Sequence, residues 1–341
     1  MGTTMRRWTM DAIGRDHLRF DTAPIPAPGA GEVLVRVSAV SLNYRDKLVI
    51  DGVMQPPITF PFSPASDMAG VVAAVGAGVS RFKPGDRVIS TFVPGWADGL
   101  PGGNARLPPY QTLGGTHPGV LAEYVAFPAD WFTAAPATLD DAQASTLPVA
   151  GLTAWQALVE LGGVKAGETV LVHGTGGVSL FGLQIAKAHG AQVIVTSRNA
   201  DKLARAMALG ADHGIHNGTS DWVAEVYRLT GDRGADHVLE VVGGTNLARS
   251  LDAVAVRGRV SVIGVLDGWE LSAPVGPVLL KLATIQGILV GHRRAQEDLV
   301  RAVDRVGLKP VIDRRYGFAD LPAALAHLDR GAFGKIVIEV A

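Results

Sequence analysis

The residues whose types and spacing could do chemistry form two groups. In the first, His173-Gly174-Thr175-Gly176-Gly177-Val178-Ser179 follows the apolar run Thr169 to His173 and opens a helical stretch, Val178 to Ala188. Glycines there allow a tight turn and bring bare backbone close to a pyrophosphate. The helix start adds unpaired N–H groups and the positive end of its dipole. A plain strand-to-helix turn would carry the same glycines. The strand, loop, helix and next strand (Gln192 to Thr196) stand in the right order, and that context points to a dinucleotide. The candidate contacts are Gly174, Thr175, Gly176, Gly177 and Val178. About 20 residues on, where an acidic residue would hold a ribose 2′-hydroxyl, the chain has Ser197-Arg198-Asn199 and then Lys202. A carboxylate would repel a 2′-phosphate, whereas Ser197, Arg198 and Lys202 can bond to one, so the expected cofactor is NADP(H). A solvated charged loop is the plainer alternative.

These residues sit in a region that proline avoids. Sixteen of the 20 prolines lie between Pro24 and Pro148, none between Val149 and Ala273, and four from Pro274 onward. Proline cannot donate to a ladder or sit inside a helix, so a long proline-free stretch reads as regular strands and helices. Further strands are expected at Ala235 to Val242, Arg259 to Val265 and Thr284 to Val290. Helical stretches at Asp201 to Leu209, Trp222 to Leu229 and Asn246 to Ala255 separate them. Repeated βα units imply a doubly wound parallel sheet. Before this region Glu32 to Val37 alternates, and Gly70 to Gly76 and Gly85 to Ile89 read as strands, so the first 150 residues or so are mostly β. After about Arg293 come an amphipathic helix, a helix near Leu321 to Leu328 and a strand Lys335 to Val340.

Composition narrows the function. Lys plus Arg number 31 against 32 Asp plus Glu, for a net charge of −1, which leaves no electrostatic footprint for nucleic acid or an anionic membrane. There is no cysteine, which excludes disulfides, thiolate-held zinc, iron–sulfur clusters and thiol nucleophiles. No apolar run reaches membrane-spanning length and Arg6-Arg7 precedes no apolar core, so a soluble cytoplasmic protein is expected.

Many short matches in order carry a family resemblance over nearly the whole chain. They are Gly29-Ala30-Gly31-Glu32-Val33-Leu34-Val35, Ser41-Leu42-Asn43-Tyr44-Arg45-Asp46, Asp67-Met68-Ala69-Gly70-Val71-Val72, Lys83-Pro84-Gly85-Asp86-Arg87-Val88, Gly119 to Val125 and Gly151-Leu152-Thr153-Ala154-Trp155. The chain resembles the medium-chain dehydrogenase/reductase superfamily, in its zinc-free quinone-oxidoreductase-like and alcohol-dehydrogenase-like branches. The resemblance implies an α/β fold in which a Rossmann domain, residues 151–290, is inserted in a GroES-like β-barrel domain made of 1–150 and 291–341. It also implies a homodimer.

The second chemical group lies where the chain departs from that family. The places of zinc ligands in zinc-dependent relatives hold Asn43, Ser66-Asp67 and about Ala150, and the stretch Ser90 to Tyr124 has no cysteine for a structural zinc. No metal site is expected. Where enoyl-reductase-like relatives carry a proton-donating tyrosine, the chain reads Gly52-Val53-Met54-Gln55. The candidate catalytic residues are Asn43, Tyr44 and Asp46, with Asn43 and Tyr44 polarising a carbonyl; packing is the alternative for Tyr44. Thr153, Val242, Gly243, Val265, Leu266, Val290, Gly291 and Lys335 are further cofactor candidates by resemblance, against generic strand ends and a surface lysine. His117 and His292 merit attention but carry little weight. The expected activity is NADPH-dependent reduction of a quinone or an α,β-unsaturated carbonyl compound. A metal-free alcohol or aldehyde oxidoreductase, and a non-catalytic NADPH-binding protein, are the alternatives.

Overall fold

The computed structural model describes residues 3–107 and 110–340 and divides into two units, Met1–Val149 with Gly291–Ala341, and Ala150–Val290. In the second unit, β1 (Thr169–His173), β2 (Gln192–Ser197), β3 (His213–His216), β4 (Ala235–Glu240), β5 (Val254–Val262) and β6 (Thr284–Gly287) form one parallel sheet in the order β3-β2-β1-β4-β5-β6. The order reverses between β1 and β4, which opens a crevice beyond the strand carboxyl ends where ligands of such sheets bind. Helices α1 (Gly177–Ala188), α2 (Ala200–Ala208), α3 (Trp222–Thr230) and α4 (Asn246–Ala253) are the crossovers. Their buried residues, such as Leu180, Leu183, Val226 and Leu251, recur at helical spacing. Val170, Leu171 and Val172 of β1 are wholly buried, as a strand covered on both faces must be.

Three expected strand ends are corrected, the first because β4 stops at Glu240, which leaves Val242 and Gly243 beyond it. β5 stops at Val262 and β6 at Gly287, so Val265, Leu266 and Val290 lie in loops beyond the sheet, and Val290 has a left-handed φ of 46°. The apolar runs continue past the last ladder bonds, and hydrophobicity alone does not mark where pairing ends. Between β5 and β6 a short helix, α5 (Val275–Leu280), buries none of its residues; Trp269, Val275, Leu279, Leu280, Leu282 and Ile285 stay exposed beside the edge strand β6.

The first unit is built on a seven-stranded sheet. Its axis runs Ile312–Gly317, Lys335–Glu339, Glu32–Leu42, Asp67–Val75, Arg87–Ser90 and Phe132–Ala134, with Tyr124–Pro128 also on Glu32–Leu42. A hairpin of Thr4–Met10 and Leu18–Pro24, which alternation does not announce, covers its core; Trp8 Nε1 donates to the Phe318 carbonyl at 2.8 Å. Register matters most for the site. Asp67 lies opposite Ser41, and Ile336 opposite Leu42, so three chain segments converge on Asn43, where the central strand ends and the helix Tyr44–Ile50 begins. No helix among the described residues is long and apolar enough to cross a membrane.

Candidate active site

In the second unit the glycine loop leaves β1 at Gly174, whose φ of +73° suits glycine, and Gly176 caps α1 without a side chain. A Cβ built on Gly174 or Gly176 would meet nothing within 4 Å, so the space above the loop is open at the helix N-terminus. Ser179, in place of a third glycine, is buried and donates to the His173 carbonyl at 2.7 Å, fastening helix to strand. The loop fits a dinucleotide pyrophosphate.

The neighbouring loops are tied together beneath it by a buried chain that motif reading misses. His173 Nδ1 lies 3.1 Å from Thr196 Oγ1 at the end of β2, and its Nε2 lies 3.1 Å from Ser250 Oγ. Ser250 donates to Glu240 Oε2 at 2.5 Å. Glu240 ends β4 and accepts from the Val242 and Gly243 N–H groups at 2.8 and 3.0 Å and from Asn246 Nδ2 at 2.8 Å. Burial pushes the His173 imidazole below its usual range, with the Glu240 carboxylate opposing, so neutral histidine is the working form. Val242 and Gly243 are therefore held through their backbone. The available signal was Glu240 itself, a carboxylate that directly follows the apolar pair Val238-Leu239 at the strand end.

At the end of β2, Ser197 is buried and its hydroxyl is committed: it donates to the Asn199 carbonyl at 3.2 Å and accepts from the Asn199 N–H at 3.1 Å. The expectation that Ser197 donates outward is corrected on that ground. Arg198 is exposed, Asn199 caps α2 by accepting from the Lys202 N–H at 2.9 Å, and Lys202 stands in the first turn. Thr153 is buried in a helical run, Leu147–Glu160, that includes widened π turns.

In the first unit the converging segments build a closed polar cluster. The Asn43 N–H donates to Asp46 Oδ2 at 2.8 Å, which anchors the helix start. Lys335 is not a surface residue: it is 4% exposed, and its ammonium donates to the Leu42 carbonyl at 2.7 Å and to Asn43 Oδ1 at 2.5 Å. An ammonium has no lone pair to offer, so it fixes which end of the Asn43 amide is oxygen. Asp67 accepts from Ser66 Oγ at 2.6 Å and from the Val149 N–H at 3.0 Å. Burial raises the Asp67 carboxyl and lowers the Lys335 ammonium, each resisted by the other's charge. Burial also pushes Asp46 up to about 6, against Arg45.

This geometry corrects two expectations. The Asn43 Nδ2 is sealed from solvent, and the Asn43 side chain helps hold the Asp67 carboxyl down against burial, so Asn43 is not presented as an open donor to a carbonyl. Lys335 is a brace inside the first unit rather than a cation facing a cofactor. The donor set does not fit a zinc ion: it has the amide of Asn43, the hydroxyl of Ser66 and the carboxylate of Asp67, with an ammonium beside them and neither thiolate nor imidazole. Tyr44 is 39% exposed, with Lys47 Nζ 5.5 Å from its ring centroid. His292 caps the helix Arg293–Val306 by accepting from the Ala295 N–H at 3.0 Å, and His117 packs on Trp131. Left out of the candidate residues were Arg45, quoted only as part of a motif, whose guanidinium donates to the Leu113 and Gly114 carbonyls at 3.0 and 2.7 Å, and Tyr110 beside it, which no motif includes.

The alcohol dehydrogenase GroES-like domain family matches residues 29–137, and the zinc-binding dehydrogenase family matches residues 177–306. A zinc-type alcohol dehydrogenase-like protein of Schizosaccharomyces pombe is 37% identical across 96% of both chains. The quinone oxidoreductase of Rattus norvegicus is 30% identical across 92% of this chain and 91% of its own. The chain belongs to the medium-chain dehydrogenase/reductase superfamily. A solved structure described as a putative alcohol dehydrogenase from Sinorhizobium meliloti 1021 superposes with a TM-score of 0.98 at 63% identity, covering both chains completely. The α/β architecture is that of this superfamily, and the chain is an oxidoreductase of its alcohol-dehydrogenase-like kind.

The Asp46 position yields a test of the cluster. A carboxyl raised from 3.8 to about 6 on folding holds its proton more tightly in the native state, so its contribution to stability falls as pH rises from about 4 through 6. Asp46→Asn keeps an acceptor for the Asn43 N–H and removes that penalty. Urea unfolding should show the variant gaining about 2 kcal/mol on the native protein between pH 4.5 and pH 7.5. A difference that does not change with pH would mean that Asp46 titrates normally.

Proposed function

We propose that this chain uses NADPH to reduce quinones or α,β-unsaturated carbonyl compounds, and that it does so without zinc. The observation that carries this reading is the cluster at Asn43, where the one carboxylate among Asn43, Ser66 and Asp67 is engaged by Ser66 and the Val149 N–H and a buried ammonium stands beside them, a set ill-suited to zinc. Reduction of an isolated ketone concentrates charge on an alkoxide, which a Lewis-acid metal relieves by several kcal/mol. A conjugated acceptor spreads the same charge over several atoms, so neutral or cationic side chains suffice. The bound nicotinamide supplies the hydride. The chain's own residues hold the cofactor: the glycine loop takes the pyrophosphate, and Arg198 with Lys202 takes the 2′-phosphate. Quinone oxidoreductases among the relatives support the substrate class. The alcohol-dehydrogenase-like descriptions of others keep alcohol oxidation as the rival. We also propose a cytoplasmic homodimer, in which the exposed apolar run around α5 and the free edge of β6 meet a second copy.

Three measurements bear on this. With chelator present, steady-state rates on a quinone and an enone should exceed the rate on the matching saturated ketone by at least tenfold. A ketone or secondary alcohol turned over equally fast by metal-free protein would favour the alcohol oxidoreductase. Arg198→Ala should weaken NADPH binding by about 10- to 150-fold, the equivalent of one charge-assisted hydrogen bond, and leave NADH nearly unchanged; equal losses would mean that Arg198 does not read the phosphate. Light scattering should give the mass of two chains, and Leu280→Asp with Ile285→Lys should give the mass of one.

A further inference from the structure

Two phenols flank the start of the helix Tyr44–Ile50. Tyr44 begins the helix, and Tyr110 is brought there from a distant loop. We propose that Tyr110 is the proton donor to the substrate, held ready by Arg45; this rests on the conjugated-carbonyl reading above. Arg45 Nε donates to the Tyr110 oxygen at 3.3 Å, and the guanidinium also lies over the Tyr110 and Phe92 rings, at 5.8 and 5.3 Å from their centroids. The guanidinium is itself fixed. Besides the Leu113 and Gly114 carbonyls it donates to Thr112 Oγ1 at 2.5 Å, and a Cβ on Gly115 would come within 2.1 Å of Arg45 Nη2. Guanidinium is always charged, so a phenolate left at Tyr110 faces a permanent cation that does not have to move.

The phenol's proton is only weakly held. Among the described residues its acceptor is Met54 Sδ at 3.4 Å, and a thioether is a weak acceptor. Tyr110 thus brings a hydroxyl to Met54, which has none. Tyr44 lacks this support: Lys47 lies over its ring rather than at its oxygen, and Lys47 Nζ pairs with Asp329 at 2.7 Å.

The step balances as follows. Hydride addition at the β-carbon of an enone leaves an enolate. The Tyr110 O–H bond breaks as a C–H bond forms at the α-carbon, and the phenolate beside Arg45 then regains a proton from water. A quinone needs no such donor at carbon, because its reduced anion is stable enough to take a proton from solvent.

The test uses an α-methyl enone, whose product gains a stereocentre at the protonated carbon, with a quinone as control. Tyr110→Phe should lower kcat on the enone by about 100-fold, as expected for loss of a general acid. It should also erode the enantiomeric excess of the product, because water protonates either face, while the quinone rate stays within threefold. Adding Met54→Tyr to that variant should restore at least tenfold on the enone by returning a phenol to the same spot. Full retention of enantiomeric excess in Tyr110→Phe, or an equal loss on enone and quinone, overturns the assignment and leaves the activity reading standing. Failure of the unmodified protein to reduce any conjugated acceptor overturns both.

Discussion

Much of the first unit depends on one buried cation. Lys335 carries its ammonium to the junction of three segments, where it meets the last carbonyl of the central strand and the side chain of Asn43. Asp67 and Asp46 are its counter-charges, both buried. Burying an isolated ammonium or carboxylate would cost several kcal/mol. Lys335 and Asp67 are tolerable only because each offsets the other, so the register of the C-terminal strand and that of the strand of Asp67 are specified together. Removing Lys335 or Asp67 alone leaves the other charge buried and unpaired, and that penalty exceeds what the intact pair contributes to stability.

The second unit solves a similar problem with one buried carboxylate and a row of neutral groups. Its loops must present backbone to a ligand and still keep their positions, so the ordering is done from below. Thr196, His173, Ser250 and Glu240 form a continuous chain under the ends of β2, β1 and β4. Glu240 finishes the work by binding two N–H groups of the loop that follows it. The glycine backbone above is left open to a ligand, while the side chains below are consumed in holding shape.

How much of this the sequence discloses depends on range. The βα alternation, the glycine loop and the ends of β1 and α1 are local, and composition and spacing report them to within a residue. The hairpin at Thr4–Pro24 is harder, because its two strands follow no clean alternation. The cluster at Asn43 was legible as a set of substitutions at motif positions but not as a structure, because Lys335 reaches it only through the pairing of Ile336 with Leu42. Ser197 shows the opposite failure: its type suits phosphate binding, yet its hydroxyl is taken by its own loop. Tyr110 carries no motif at all, and only the folded loop brings it to Arg45.

The chain order of the buried cluster has a consequence for biosynthesis. Asn43, Asp46 and Asp67 are made early, whereas Lys335 follows the whole of Ala150–Val290. A nascent chain therefore holds the Asp46 and Asp67 carboxylates without their ammonium throughout synthesis of the intervening unit, which is continuous in sequence. Folding of that unit first draws its two ends into fixed positions and shortens the flexible loop that separates Asn43 from Lys335, which lowers the entropy cost of closing it. The later-folding half is thus completed by a residue whose arrival the earlier-folding half prepares.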